Sequence, residues 1–163
     1  MGLQSRAALL LQRELYKIEH SVSNPWGISI DLYRNNLFQW ICSIEGLQGS
    51  VFEGGTFQVM IQFSQEYDEI QPDVCFTTIP FHPNINLITG KPCIDYLDDS
   101  NQWECGYSIV SLLLQLQVLL EFPVLENSVN LAAQDLYMNS PKLYEQMARD
   151  SVIASRRIKG LLI

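Results

Sequence analysis

Cations, histidines and paired cysteines are what this chain has least of. Only 10 of its 163 residues are Lys or Arg, against 18 Asp and Glu, so the formal net charge is −8. A surface of that sign repels phosphates, and nucleic acid is not an expected partner. The two histidines, His20 and His82, are far apart, and none of the four cysteines, Cys42, Cys75, Cys93 and Cys105, forms a C-x-x-C pair. The spacing therefore gives no support to a zinc site, and no metal or bound cofactor is expected. No apolar run is long enough to span a bilayer, so no membrane partner is expected either. The opening "MGLQSRAALLLQRELYK" has too short an apolar run for a secretory signal. Arg6 also stands where a myristoylation motif has Ser or Thr. The expected setting is intracellular, cytoplasmic or nuclear, and reducing, with free thiols rather than disulfides.

What is present is an ordinary core. The chain is 47% hydrophobic and 17% charged, and its length suits about one domain. The expected division is a core domain over 1–155 with a tail over 156–163, as a monomer. Residues 3–20 predict a helix, because Leu3, Ala7, Leu10, Leu11, Leu15 and Ile18 recur at helical spacing. "GISIDLY", "LFQWICSIE", "TFQVMIQF" and "DVCFTTI" come next, and the second and third alternate with the period of two that strands need. The Gly-rich "GLQGSVFEGG" between the two suits antiparallel pairing. Helix returns near Ser108 in "IVSLLLQLQVLLEF", which is apolar on nearly every face and predicts burial on several sides. Pro123 ends it; a further helix is predicted from about Ser128 to Met138, and a last one begins with Ser140 and Pro141. Helix, strands, loop, helices is the order of an α+β domain with an antiparallel sheet.

Between Pro80 and Gly106 nothing is periodic, yet the segment is rich in Phe, Ile, Leu, Tyr and Trp. Long irregular segments of that kind in compact domains are usually functional. Within it lies "FHPNINLITGKPCIDYL", Phe81 to Leu97. Cys42 and Cys75 fall in strands and read as structural, while Cys105, beside Gly106, is expected in an exposed loop. Cys93 comes after Gly90, Lys91 and Pro92 and has polar neighbours. Lys91 favours its thiolate, whereas Asp95, Asp98 and Asp99 oppose it, so local chemistry leaves a reactive and an inert Cys93 both open. His82 is a candidate base for Cys93, but between Phe81 and Pro83 it reads better as a turn-fixing residue. Asn84 suits an Asx turn that holds the loop or an amide donor to an oxyanion, and the residues alone do not choose.

This stretch resembles the active-site signature of the ubiquitin-conjugating enzymes: His-Pro-Asn, a short loop, then Cys, a hydrophobe and Asp. The likeness extends over about residues 5–153. "FQWICSIEGLQGSVFEGGTFQVMIQF" is similar to that family's central strands and Gly-Gly turn, and Trp103 with "SIVSLLLQLQVLL" to the tryptophan and long helix after the cysteine. "ITGKPCIDYLDD" and "FPVLENSVNLAA" most resemble its U-type branch. The resemblance implies a four-stranded antiparallel sheet, one N-terminal helix and three later helices. It implies a carrier that takes ubiquitin from an activating enzyme, which uses ATP upstream, as a thioester on Cys93. It would then pass ubiquitin to a substrate lysine or to a ubiquitin ligase. Asn84 would stabilise the oxyanion or brace the loop, and His82 and Pro83 would be structural. Asn127 would occupy the gate position, where the family has an acid, and could orient an amine through its carbonyl. The chain departs from the family in four further places. The run from His-Pro-Asn to Cys93 is one residue longer, and Glu69 and Glu104-Cys105-Gly106 replace the usual ligase-docking residues. Leu9 and Leu10 also replace basic residues of the first helix, which predicts slow loading. A non-transferring member that only binds ubiquitin or a ligase is the alternative these departures favour.

Overall fold

The first helix forms where its cap and its apolar stripe agree. In the computed structural model, which describes residues 4–21, 26–100, 102–104 and 107–161, α1 covers Arg6–Glu19. Ser5 is its N-cap, with Oγ accepting from Ala8 N at 3.1 Å, and Lys17 sits in the last turn. Ala7 and Leu11, four residues apart, are fully buried, and α1 packs on the second strand. Glu14, on the same helix, accepts from Tyr67 Oη at 3.1 Å and from the backbone N–H of Ile109, and burial raises its pKa.

Four strands come next in sequence order as an antiparallel meander: β1 Ile28–Tyr33, β2 Asn36–Glu45, β3 Thr56–Gln62 and β4 Asp73–Phe76. Arg34 and Asn35, at φ 50° and 59°, make the two-residue turn between β1 and β2. The register places Cys42 between Ile30 and Val59. Alternation then sends Trp40, Cys42, Ile44, Phe57, Val59, Ile61, Val74 and Phe76 to one buried face. Ser29, Ser43 and Gln58 fall on the other, where Ser29 and Ser43 join through their hydroxyls at 2.5 Å. Each buried side chain of this size contributes about 1.5–3 kcal/mol.

The later part of the chain is helical: α2 Asp95–Asp98, α3 Ile109–Glu121, a 3-10 turn at Leu125–Asn127, α4 Leu131–Asn139 and α5 Pro141–Leu161. Ser108 caps α3 by accepting from Ser111 N at 3.0 Å. Although its sequence is apolar nearly all round, α3 buries one stripe, made by Ile109, Leu112, Leu113, Leu116, Gln117 and Leu120, and leaves Val118 half-exposed. Phe122, just beyond it, is 65% exposed. Helix α4 starts three residues later than the sequence predicts. The reason is local: the N–H groups of Val129 and Asn130 both donate to Pro83 O, at 2.9 and 3.0 Å, which holds them out of a helix. Asn130 then caps α4 through Ala133 N. Helix α5 packs on α4 around Phe81, Ala133 and Tyr144. Its far end reaches the sheet, with Ser155 Oγ accepting from Thr56 N and Arg156 Nε donating to Gly54 O. Among the described residues no helix is long and apolar enough to cross a membrane.

Candidate active site

The segment after β4 is irregular but closely hydrogen-bonded. Phe76 N donates to Gly90 O at 2.8 Å, Asn86 N to Lys91 O at 3.0 Å and Gly90 N to Asn86 O at 2.9 Å. Asn86 Oδ1 accepts from both Ile88 N and Thr89 N at 2.9 Å, an Asx turn that closes the tip. Gly90 has φ +73°, and a Cβ there would lie 1.9 Å from Phe76 O, so the turn requires glycine. The longer loop is thus taken up in an outward tip, with Ile88 89% exposed. Its base stays closed: Ile85 bridges Pro92, and Cys93 N donates to Asn84 O at 2.8 Å. Asn84 and Cys93 remain directly joined.

His82, Pro83 and Asn84 form a hub for the connection that leads from α3 to α4. The His82 ring is fully buried and its Nδ1 accepts from Asn84 N at 3.0 Å, so Nε2 carries the proton and donates to Leu119 O at 2.7 Å. Burial lowers its pKa to about 4, and the ring is neutral. Both ring nitrogens are occupied away from Cys93, and no Cys93–His82 pair forms. Pro83 O receives the two N–H groups before α4. Asn84 is fully buried; its Nδ2 donates to Val124 O at 2.7 Å and Asn127 O at 3.0 Å, and its Oδ1 accepts from Val124 N at 2.8 Å. Both amide protons are therefore used to hold the turn that carries Asn127, which is the bracing arrangement.

Cys93 is half-buried, two residues before α2. Asp98 reaches back so that Oδ2 accepts from Ile94 N at 3.0 Å, a return bond like that of a capping box. Burial, and then the nearby Asp98 and Asp95 carboxylates, push the Cys93 thiol up to about 11, with no offset from Lys91. The opposed charges that sequence alone left balanced are thus resolved in favour of the aspartates. Asn127 Nδ2 donates to Asp95 Oδ1 at 3.1 Å, so Asn127 is tied to a carboxylate two residues past the cysteine. Sequence reasoning missed the bonds of Asp98 to Ile94 N and of Asp95 to Asn127, and the short helix α2. The signal was the spacing of Asp95, Asp98 and Asp99, which places acids within one helical turn.

The remaining cysteines are set apart. Cys42 is buried in the core and its thiol is pushed up to about 12 by burial; Cys75 is half-buried on β4, with a raised pKa from burial and Asp73. Cys105 and Gly106 lie outside the described residues, whereas Glu69 and Glu104 are both exposed. The loops carrying those two acids are joined by Trp103 Nε1, which donates to Asp68 O at 2.7 Å. Among the described residues no cluster of His, Cys, Asp or Glu could hold a metal ion.

A four-stranded meander, helices before and after it in sequence, and a His-Pro-Asn hub bonded to a loop cysteine define one class of protein. Residues 10–152 match the ubiquitin-conjugating enzyme family, and the chain belongs to it. It is 44% identical over 147 residues to the ubiquitin-conjugating enzyme E2 U of Macaca fascicularis, an alignment covering 90% of this chain and 45% of that protein. The human E2 U is 43% identical over the same shares. The chain spans about half the length of these curated relatives, at 45%. A solved structure described as a novel ubiquitin-conjugating enzyme superposes with a TM-score of 0.79 at 43% identity, covering 89% of this chain and 94% of that one. A putative ubiquitin-conjugating enzyme from Plasmodium yoelii gives 0.84 at 30% identity, covering 94% and 97%.

Proposed function

We propose that the chain is a ubiquitin carrier that uses Cys93. The observation that carries this reading is the direct bond from Cys93 N to Asn84 O, which couples the cysteine to the buried His-Pro-Asn hub. Sγ of Cys93 attacks the thioester carbonyl through which an activating enzyme holds ubiquitin's C-terminus. The new S–C bond forms, the old one breaks, and the departing thiolate takes up the proton that Cys93 gives up. In the second half an amine or a ligase thiol attacks the Cys93 thioester, and Cys93 leaves with a proton. ATP is consumed upstream by the activating enzyme. Asn84 braces the loop, His82 and Pro83 support it, and Asn127, bonded to Asp95, lines the approach of the amine. A ligase would meet the surface of Glu69 and Glu104, an acidic face that suits a partner with basic contacts rather than an apolar anchor.

Incubation with activating enzyme, ATP and ubiquitin should give an adduct that thiol reductant removes and that Cys93→Ala does not form. If wild type forms no more adduct than Cys93→Ala, the carrier reading fails. One observation favours the second reading, a binding module without transfer. With its thiol held near 11, Cys93 is ionised in only about one molecule in ten thousand at pH 7. Ubiquitin binding with no adduct at any pH would select that reading.

A further inference from the structure

Ile88 is 89% exposed and Leu87 54%, at the tip of the segment that leads into Cys93. A lone exposed hydrophobe needs no explanation, but here two in succession stand on a firmly held turn beside the cysteine. The tip is a narrow hairpin. Asn84 O accepts from Cys93 N, Ile85 bridges Pro92, and Asn86 N donates to Lys91 O, so two segments run outward from the cysteine in register. At the end, Asn86 Oδ1 accepts from Ile88 N and Thr89 N, Gly90 N returns to Asn86 O, and Lys91 N donates to Thr89 Oγ1. A partner that covers Leu87 and Ile88 therefore has little backbone to order, the condition under which a small apolar contact adds affinity. At about 3.3 Å per residue, three steps of extended chain carry the tip about 10 Å out from Cys93.

The ground around the cysteine is acidic. Asp95 and Asp98 are exposed on α2, and Glu126 is exposed beside Asn127, whose side chain bonds to Asp95. Among the described residues none of the three acids forms an ion pair with a lysine or arginine. Lys91 is the one cation within ten residues of Cys93 along the chain. We propose that the Leu87–Ile88 tip is a docking point for the acceptor protein: it receives an apolar residue about three positions from the lysine to be modified, on a segment whose other charges are basic. This rests on the carrier reading and names the acceptor class for the same cysteine. The apolar residue covers Leu87 and Ile88, the basic residues face the unpaired acids, and about three extended residues span from the tip to the thioester. The transfer itself is unchanged: the neutral amine forms the C–N bond, the C–Sγ bond breaks, and the amine's proton ends on the Cys93 sulfur. A ligase is a less suitable occupant. The loops of Glu69 and Glu104 are joined to each other through Trp103 and Asp68, whereas the tip bonds to Phe76 and to the His-Pro-Asn segment.

The test is single-turnover discharge of preformed Cys93–ubiquitin thioester, using the full chain as wild type and as Ile88→Ser. Three acceptors are compared. They are free lysine, a synthetic peptide with one lysine, a Leu–Phe pair three residues before it and two arginines after it, and the same peptide with Ser–Ser for the pair. Wild type should discharge to the apolar peptide about tenfold better than to the Ser–Ser peptide at low concentration, as one apolar contact allows. Ile88→Ser should use both peptides alike, through a higher half-saturating concentration rather than a lower rate at saturation, and should match wild type on free lysine. Exchanging the arginines for glutamates should cost both forms about fivefold, less at high salt. An unchanged melting temperature checks that the exposed substitution leaves the fold intact. Equal preference for the apolar peptide in both forms, or no preference in wild type, overturns the proposal, and no cost from the glutamates overturns its choice of a basic segment. A loss in Ile88→Ser that is the same for all three acceptors, or that already slows loading, also overturns it and assigns the tip to ubiquitin or to the activating enzyme. A wild-type thioester in any of these outcomes leaves the carrier reading standing, whereas absence of a wild-type adduct overturns both.

Discussion

The two sides of Cys93 are built on opposite principles. On one side, His82, Pro83 and Asn84 are buried, and each bonds to backbone of α3 or of the α3–α4 connection. On the other, Asp95 and Asp98 are exposed on a four-residue helix and raise the thiol through their charge. The buried side derives its strength from low dielectric, where every polar group must be satisfied and no alternative partner exists. The exposed side is free to exchange protons with water, which a buried network is not. Position is therefore set by one wall, while burial and the charge of the other hold the thiol protonated.

This contrast predicts that changes on the buried wall act on stability first. The largest effect is expected from Asn84→Ala, which orphans Val124 N and Asn127 O and leaves Val124 O with Asn127 N alone. The cost should be about 3–5 kcal/mol, a fall in melting temperature of roughly 10 °C for a domain of this size. A thermal melt that moves by only a degree or two would show that the hub does not carry the connection.

Next comes a pH window. The His82 pKa is about 4 in the fold against an ordinary 6.5, so between those values the unfolded chain binds a proton that the folded one does not. The contribution of His82 to stability is complete above pH 6.5 and is lost as pH falls toward 4, by about 3 kcal/mol. Urea midpoints from pH 7 to pH 4 should fall more steeply for wild type than for His82→Gln. Parallel curves would mean that the ring is not held neutral.

The smallest effect belongs to the exposed wall. Asn127→Asp places a second carboxylate where Nδ2 now sits 3.1 Å from Asp95 Oδ1. Two such groups cannot both ionise freely, so one becomes a base closer to neutral pH. Discharge of the thioester to free lysine should quicken about fivefold, near 1 kcal/mol in the barrier. Stability should change less than in Asn84→Ala. A rate unchanged or slower, with a matching loss of melting temperature, would place Asn127 on the structural side.

Much of this architecture is legible in the residues. The alternation in "LFQWICSIE" and "TFQVMIQF" corresponds to β2 and β3 with one face buried, because a strand's period is a local property. Ser108 is legible as the start of α3 because caps are local too. The start of α4 is misplaced by sequence because Pro83, more than 40 residues earlier, takes the N–H groups of Val129 and Asn130. Burial on several sides of α3 is overread, since apolar content does not say how many neighbours arrive. At the site, Cys93, His82 and Asn84 are found from their order in the chain, whereas the bonds of Asp98 to Ile94 N and of Asn127 to Asp95 are not.

By itself, the sequence determined the order of elements, the irregular segment after β4 and Cys93 as the cysteine within it that stands among polar neighbours. Periodicity, turn residues and composition carry that information, and all of them act over a few neighbouring positions. Tertiary structure alone decided which charge governs the thiol and where the protons of the Asn84 amide go. Lys91 and Asp98 lie within five residues of Cys93, and chain distance ranks them nearly alike. Folding separates them, because α2 turns the Asp98 carboxylate back to Ile94 N, next to the cysteine, where its charge raises the thiol while Lys91 does not offset it.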